Sequence, residues 1–175
     1  WIFGSAVRCS AQVPGAVRYG QKVPHEVKQI YERGLHYLAE SQLDDGSWSH
    51  SQQNGITGLC LMALLAEGDD PNFGRYSGTV RRAVRSLIRN QNPKTGYIPE
   101  SMYNHGFAML ALAEAYGAVD ESLVWSGTES AGNPRSIGES LQLAVRCAVA
   151  AQSNNPFGGW RYTPDAKDAD TSVSG

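Results

Sequence analysis

Cysteine, charge of one sign and long apolar runs are all scarce in this chain of 175 residues. The three cysteines, Cys9, Cys60 and Cys147, are odd in number and far apart, with no CxxC or CxxH pair, which argues against a local zinc knuckle. Cys60 and Cys147 lie in apolar helical stretches and read as buried, inert thiols, which favours a reducing compartment. Fifteen basic and seventeen acidic side chains leave a net charge of −2, so composition gives no case for nucleic acid or an anionic membrane surface. No apolar run approaches the roughly 20 residues that span a bilayer. The opening WIFGSAVRCSAQVPG lacks the basic head and apolar stretch of a secretion signal. It starts on Trp1, and the closing DADTSVSG stops where a helix is beginning, so a fragment is expected. GxxxxGK, GxSxG and HExxH are missing, which leaves the common nucleotide, serine-hydrolase and metalloprotease signatures without support.

What is present is a repeat. Set Gln42, Gln91 and Gln152 in register and small or apolar residues recur before each one. Eleven before stand Tyr31, Val80 and Leu141; eight before, Gly34, Ala83 and Ala144; seven before, Leu35, Val84 and Val145. Four before stand Leu38, Leu87 and Ala148, and three before, Ala39, Ile88 and Val149. Offsets of three, four, seven, eight and eleven trace one face of a helix. The small residue eight before Gln suits the close approach of another helix. Each Gln opens a turn closing on Gly and an aromatic: QLDDGSW (Gln42 to Trp48), QNPKTGY (Gln91 to Tyr97) and QSNNPFGGW (Gln152 to Trp160). Pro, Asn, Asp and Gly there stop the helix and permit positive φ.

After the first two turns come helices of another kind. ITGLCLMALLAEG (Ile56–Gly68) and YNHGFAMLALAEAYG (Tyr103–Gly117) are apolar nearly all round, so they should be enclosed on most sides. Half-polar helices outside and apolar ones inside give an all-α, two-layer architecture with negligible sheet. Residues 1–23 read as an irregular lead-in and 24–175 as the domain. Val119–Ser136 reads as a polar surface loop, and Arg81, Arg82, Arg85 and Arg89 as a solvated helix face.

RGLHYLAESQLDDGSW resembles the QW repeat of triterpene cyclases through Arg33, Gly34, Tyr37, Leu38, Gln42, Gly46 and Trp48. The second copy keeps Arg82, Ala83, Leu87, Gln91 and Gly96 but has Tyr97 for Trp; the third keeps Ala144, Gln152, Gly159 and Trp160, with Leu143 in the basic position. The resemblance is to the superfamily of squalene-hopene cyclases and protein prenyltransferase β subunits. It implies a partial α/α toroid around an apolar cavity, with further repeats of the same chain completing the ring. It also implies that each Gln bonds backbone at helix ends while its Trp stacks over it, so these residues are structural staples. The implied partner is an apolar isoprenoid, with no cofactor, no nucleic acid, and peripheral membrane contact or a cytoplasmic location.

Chemistry is expected in GGWRYTPDAKDADTSVSG (Gly158–Gly175). In prenyltransferase β subunits a related stretch precedes an Asp-x-Cys zinc pair. Asp170 falls near that Asp, but Ser172 stands where the Cys belongs, and a neutral hydroxyl is a poor zinc ligand. In squalene-hopene cyclases a DxDD-T motif supplies the acid that protonates a terminal alkene. An apolar cavity and neighbouring carboxylates can keep such an acid protonated. Asp168 and Asp170 in DADTS match it in part, and they are the catalytic candidates for an acid-initiated polycyclisation, with His105 a third. The competing reading of Asp170-Thr171-Ser172 is a helix N-cap. A lone His at a helix end is commonly a hydrogen-bonding cap, which is the competing reading of His105; Asp44 and Asp45 are turn residues, and His50 belongs to a loop. The GCGEQ thioester of complement-type toroids is missing. Besides cyclase, a zinc-dependent prenyltransferase and a non-catalytic binding scaffold remain open.

Overall fold

The structure, a computed structural model, describes residues 23–49, 53–127 and 134–174. Among the described residues every regular element is a helix: α1 (His25–Ser41), α2 (Asn54–Leu65), α3 (Ser77–Asn90), α4 (Met102–Ala118), α5 (Glu121–Val124), α6 (Ile137–Ser153) and α7 (Thr171–Ser174). The protein is all-α, as its periodicity requires. Three of the helices carry the Gln register (α1, α3, α6) and two are the apolar ones (α2, α4). By compactness the chain divides into residues 1–34 and 35–175, a cut inside α1. The described part of the first unit is the opening of α1, a solvated stretch with a Lys28–Glu32 pair at 3.7 Å. Its Gly34 is exposed and has open space where a Cβ would project, so it marks no close helix approach. Everything below concerns the second unit.

The face read from the register of α3 is the heart of the core. Val80, Ala83, Val84, Leu87 and Ile88 are all buried, together with Leu61 and Leu64 of α2 and Leu112 of α4. Burying each such side chain contributes roughly 1.5–3 kcal/mol, which outweighs the modest helix propensity of the valines. The apolar helices α2 and α4 pack against each other through glycine. A Cβ at Gly55 would sit 2.9 Å from the Asn104 Cα, and one at Gly58 would sit 2.7 Å from the Phe107 carbonyl oxygen. Both positions advance together along the two helices, so α2 and α4 run parallel. Ser101 caps α4 by accepting from the Asn104 N–H, and a reciprocal Ser136–Glu139 box opens α6. The Gln53 side chain does not cap α2, and the Asn104 Oδ1 accepts from the Gly55 N–H at 2.9 Å. One asparagine therefore satisfies an orphan amide of its neighbour.

At the corners lie the clasps. Gln42 Nε2 donates to the Gly46 carbonyl in its own turn and to the Thr79 carbonyl of α3, both at 3.0 Å. Gln91 repeats this with Gly96 at 2.9 Å and Ser140 of α6 at 2.8 Å. Thr79 and Ser140 occupy the same place, twelve residues before the next Gln. Gln152 donates to Gly158 at 3.0 Å. The indole N–H groups also repeat: Trp48 donates to Leu38 at 2.7 Å and Trp160 to Ala148 at 2.9 Å, each acceptor four residues before its Gln. Tyr97 has no such donor. A turn glycine holds positive φ in every copy, Gly46 (85°), Gly96 (75°) and Gly158 (67°). The third copy's equivalent is thus Gly158, not Gly159. The side chain of Gln152 bonds the Gly158 carbonyl, whereas Gly159 is small because Ala169 and Ser174 crowd it at 2.9 Å.

Two readings of polar stretches are corrected. Val119–Ser136 is no plain surface loop: Val119 and Val124 are buried, α5 lies within it, and the Arg135 guanidinium donates to the Ile88 and Gln91 carbonyls. Nor are the α3 arginines simply solvated. Arg81 donates to the Asn72 carbonyl, Arg82 to Gln42 Oε1 at 2.8 Å and Arg85 to the Val124 carbonyl, while Arg89 lies over the Trp125 ring. Their acceptors are backbone carbonyls and a Gln, which a composition reading cannot anticipate.

Because Leu143 stands where α3 has Arg82, the buried Gln91 Oε1 has no hydrogen-bond partner among the described residues. Leu143→Arg should supply that donor and raise unfolding stability by about 1 kcal/mol in urea denaturation. Gln91→Ala strands the Gly96 and Ser140 carbonyls and should cost about 2–3 kcal/mol, against under about 1 kcal/mol for Gln152→Ala.

Candidate functional site

The C-terminal segment is a closed fold-back. Asp170 N–H donates to the Trp160 carbonyl at 2.9 Å, and the Ser174 hydroxyl accepts from the Trp160 N–H at 2.8 Å. Asn155, buried at the base, donates from Nδ2 to the Ala166 and Asp168 carbonyls. These bonds set Asp168 and Asp170 on either side of one guanidinium. Arg161 reaches Asp170 at 2.9 Å and Asp168 at 3.6 Å, and its own plane lies 4.8 Å from the Tyr162 ring centre.

Asp170 has the chemistry of a cap. Its Oδ1 accepts from the Ser172 hydroxyl at 2.5 Å and from the Ser172 N–H at 2.8 Å, which opens α7. These two donors, Ser172's hydroxyl first, hold its carboxyl below the usual carboxylate range, with a further contribution from Arg161. A carboxylate stabilised in its charged form is the reverse of an acid poised to protonate an alkene. Ser172 also receives the Tyr103 hydroxyl, so α4 and α7 meet here. Asp168 is largely exposed and serves as the outer ligand of Arg161.

His105 is buried in α4 with both ring nitrogens occupied. Nδ1 accepts from the Ile98 N–H at 3.1 Å, which assigns the proton to Nε2, 3.0 Å from the Ala144 carbonyl. Tyr97 packs at 5.6 Å between ring centres. Burial pushes the imidazole below its ordinary value, opposed in part by the Ala144 carbonyl. A neutral ring with no lone pair to spare ties α4 to α6 and to the second turn. Asp45 accepts from the Ser47 N–H, a turn role as expected. The thiols of Cys60 and Cys147 are pushed up by burial. Cys9 and His50 lie outside the described residues.

Among the described residues no three His, Cys, Asp or Glu side chains converge as a metal site would need. Beside His105 a cavity of about 180 Å³ is lined by Met102, Gly106, Met109, Ala148, Trp160 and Val173 with Ser174. It is apolar apart from groups already hydrogen-bonded. A second apolar surface lies on the two parallel helices, where Ile56 and Leu59 of α2 and Phe107 and Leu110 of α4 are exposed. Since Gly58 abuts the Phe107 backbone, Leu59 and Phe107 flank one seam. Sequence reading treated these helices as enclosed and so singled out none of the four. Asn155 and Arg161 were missed as well: the acceptors of Asn155 are backbone carbonyls, and Arg161 meets its two carboxylates only because the segment folds back.

No family model matches the chain, and no solved structure matches it. No described helix is long and apolar enough to cross a membrane.

The His105 arrangement carries a pH dependence. Its folded value is depressed below 6.5, so the unfolded chain takes up this proton first as pH falls. Stability should therefore decline from about pH 6.5 downward, with little contribution from this group above it. His105→Gln should flatten that portion of a thermal-midpoint profile; an unchanged slope would place the pH dependence elsewhere.

Proposed function

We propose that this chain is part of a QW-repeat α/α toroid of the terpenoid cyclase and prenyltransferase type, and that its apolar helices furnish the wall of a site for an isoprenoid. The observation that carries this reading is the pair of parallel, glycine-packed helices α2 and α4, with Ile56, Leu59, Phe107 and Leu110 left exposed. Ordinary surface helices put charge on such faces. An isoprenoid offers no hydrogen-bonding groups along its chain, so a wall without polar atoms suits it. Aromatic side chains such as Phe107 also present π faces that stabilise cations.

Binding is favoured ahead of chemistry. Acid-initiated polycyclisation requires a protonated carboxyl, and Asp170 must shed both Arg161 and Ser172 before it can carry a proton at neutral pH. Zinc-dependent transfer finds no thiolate at Ser172. Asp168 and Asp170 stay as the acid candidates for the cyclase form of this reading.

A dansylated farnesyl probe titrated into the chain should bind saturably, about tenfold more weakly after Phe107→Asp, because a carboxylate in the wall must be desolvated. Chelator should change nothing. Indifference to Phe107→Asp, or no saturable binding, would remove the basis for the proposal. Incubation with squalene, with products read by mass spectrometry, tests the catalytic form; turnover unaffected by Asp170→Asn would dismiss Asp170 as the acid.

A further inference from the structure

The three clasps are not equally filled, and the difference identifies a docking seat. In the first two copies the Gln amide uses both N–H donors, one on its own turn and one on the opening of the next outer helix. In each, the turn glycine is overlaid by a second carbonyl three residues further along that helix. A Cβ on Gly46 would collide with the Arg82 carbonyl oxygen, and one on Gly96 with that of Leu143. Gly158 keeps the same positive φ, yet nothing described lies within 4 Å of its Cβ position. Gln152 donates to its own turn, at Gly158, and no described helix supplies the second acceptor.

The apolar face next to this corner agrees. Val84 and Ile88 of α3 are 0% and 3% exposed, whereas their counterparts on α6, Val145 and Val149, are 44% and 54% exposed. The same register that is fully enclosed in the second copy is open in the third. Packing of the indole does not explain it, since Trp160 is seated on Ala148 just as Trp48 is on Leu38.

We infer that Gln152 and Gly158 form an open seat for the first turn of a helix of the same Gln-register type as α3 and α6. The occupant is defined by the two filled seats. Its first turn must place one carbonyl on Gln152 Nε2 and the carbonyl three residues later against Gly158. A basic side chain at that second position completes it by donating to Gln152 Oε1, as Arg82 does to Gln42. This seat is separate from the apolar wall proposed above, and its test does not depend on any isoprenoid.

The probe is a fluorescent peptide with the sequence of residues 75–91, which already fits the first seat. Saturable binding to the chain is expected, weakened about tenfold by Gln152→Ala and by Gly158→Ala, and about threefold when the peptide carries Arg82→Leu. Because isolated helices of this length are marginal in water, the titration is repeated with a peptide stapled across positions 81 and 85. Gln152→Ala should leave the chain's own thermal midpoint within about two degrees, so lost binding cannot be misread as unfolding. Failure of both peptides to bind overturns the inference. So does binding indifferent to Gln152, or binding abolished by Gln42→Ala alone, which would mean exchange into the first seat.

Discussion

One primary amide holds two repeats together. A Gln side chain carries two N–H donors at a fixed angle, and each is aimed at a carbonyl that cannot find a partner elsewhere or has a lone pair in reserve. Gly46 and Gly96 contribute turn carbonyls; Thr79 and Ser140 contribute carbonyls from the opening turn of a helix. Glu offers no donor and Asn is one methylene short. The clasp also dictates the glycine. Positive φ turns its carbonyl toward the amide, and a Cβ there would strike the neighbouring helix, so two independent constraints fall on one residue. Remove the amide and α3 and α6 each lose a side-chain anchor to the preceding turn at this corner.

With the Gln-register helices fixed at intervals, the apolar helices α2 and α4 pack beside them. Gly55 and Gly58 let α4 approach the α2 backbone, and Asn104 converts that closeness into a hydrogen bond on the Gly55 amide. Packing is then tight on the sides facing other helices. The remaining side of each is apolar without being covered, which is why Leu59 and Phe107 are exposed while Leu61 and Leu112 have no accessible surface. The repeat therefore builds a dry seam and an apolar wall from the same two helices.

Much of this was legible in sequence because repetition makes weak signals additive. The Gln-register helices, the buried face of α3 and the glutamine corners follow from positions that recur at equal offsets. What escaped depended on a partner or a dihedral angle that no offset encodes. Gly158 and Gly159 are equivalent as letters, and only φ separates the hinge from its crowded neighbour. Four arginines on one helix look like a solvated face until their partners, two backbone carbonyls, a Gln oxygen and an indole ring, are known. The exposure of Val145 and Val149 was invisible for another reason: burial depends on what lies opposite, and the register predicts a face without predicting its cover.

The carboxylates of the C-terminal segment follow the same logic. Asp168 and Asp170 were singled out as an incomplete acid motif, and the structure does bring them together, but across Arg161. An acid pair raises one partner's proton affinity through mutual repulsion; a guanidinium between them removes that repulsion and favours two charges. The Ser172 hydroxyl and amide act in the same direction on Asp170, since both are donors. Three donors converging on one carboxylate open α7, and Trp160, anchored to α6, holds the Asp170 backbone. Any proton delivered from Asp170 must therefore be preceded by a change that takes Arg161 away, and the fold-back bonds of Asn155 to Ala166 and Asp168 oppose such a change. As built, this segment fastens the end of the third repeat, and the reactive reading of its acids requires that fastening to open.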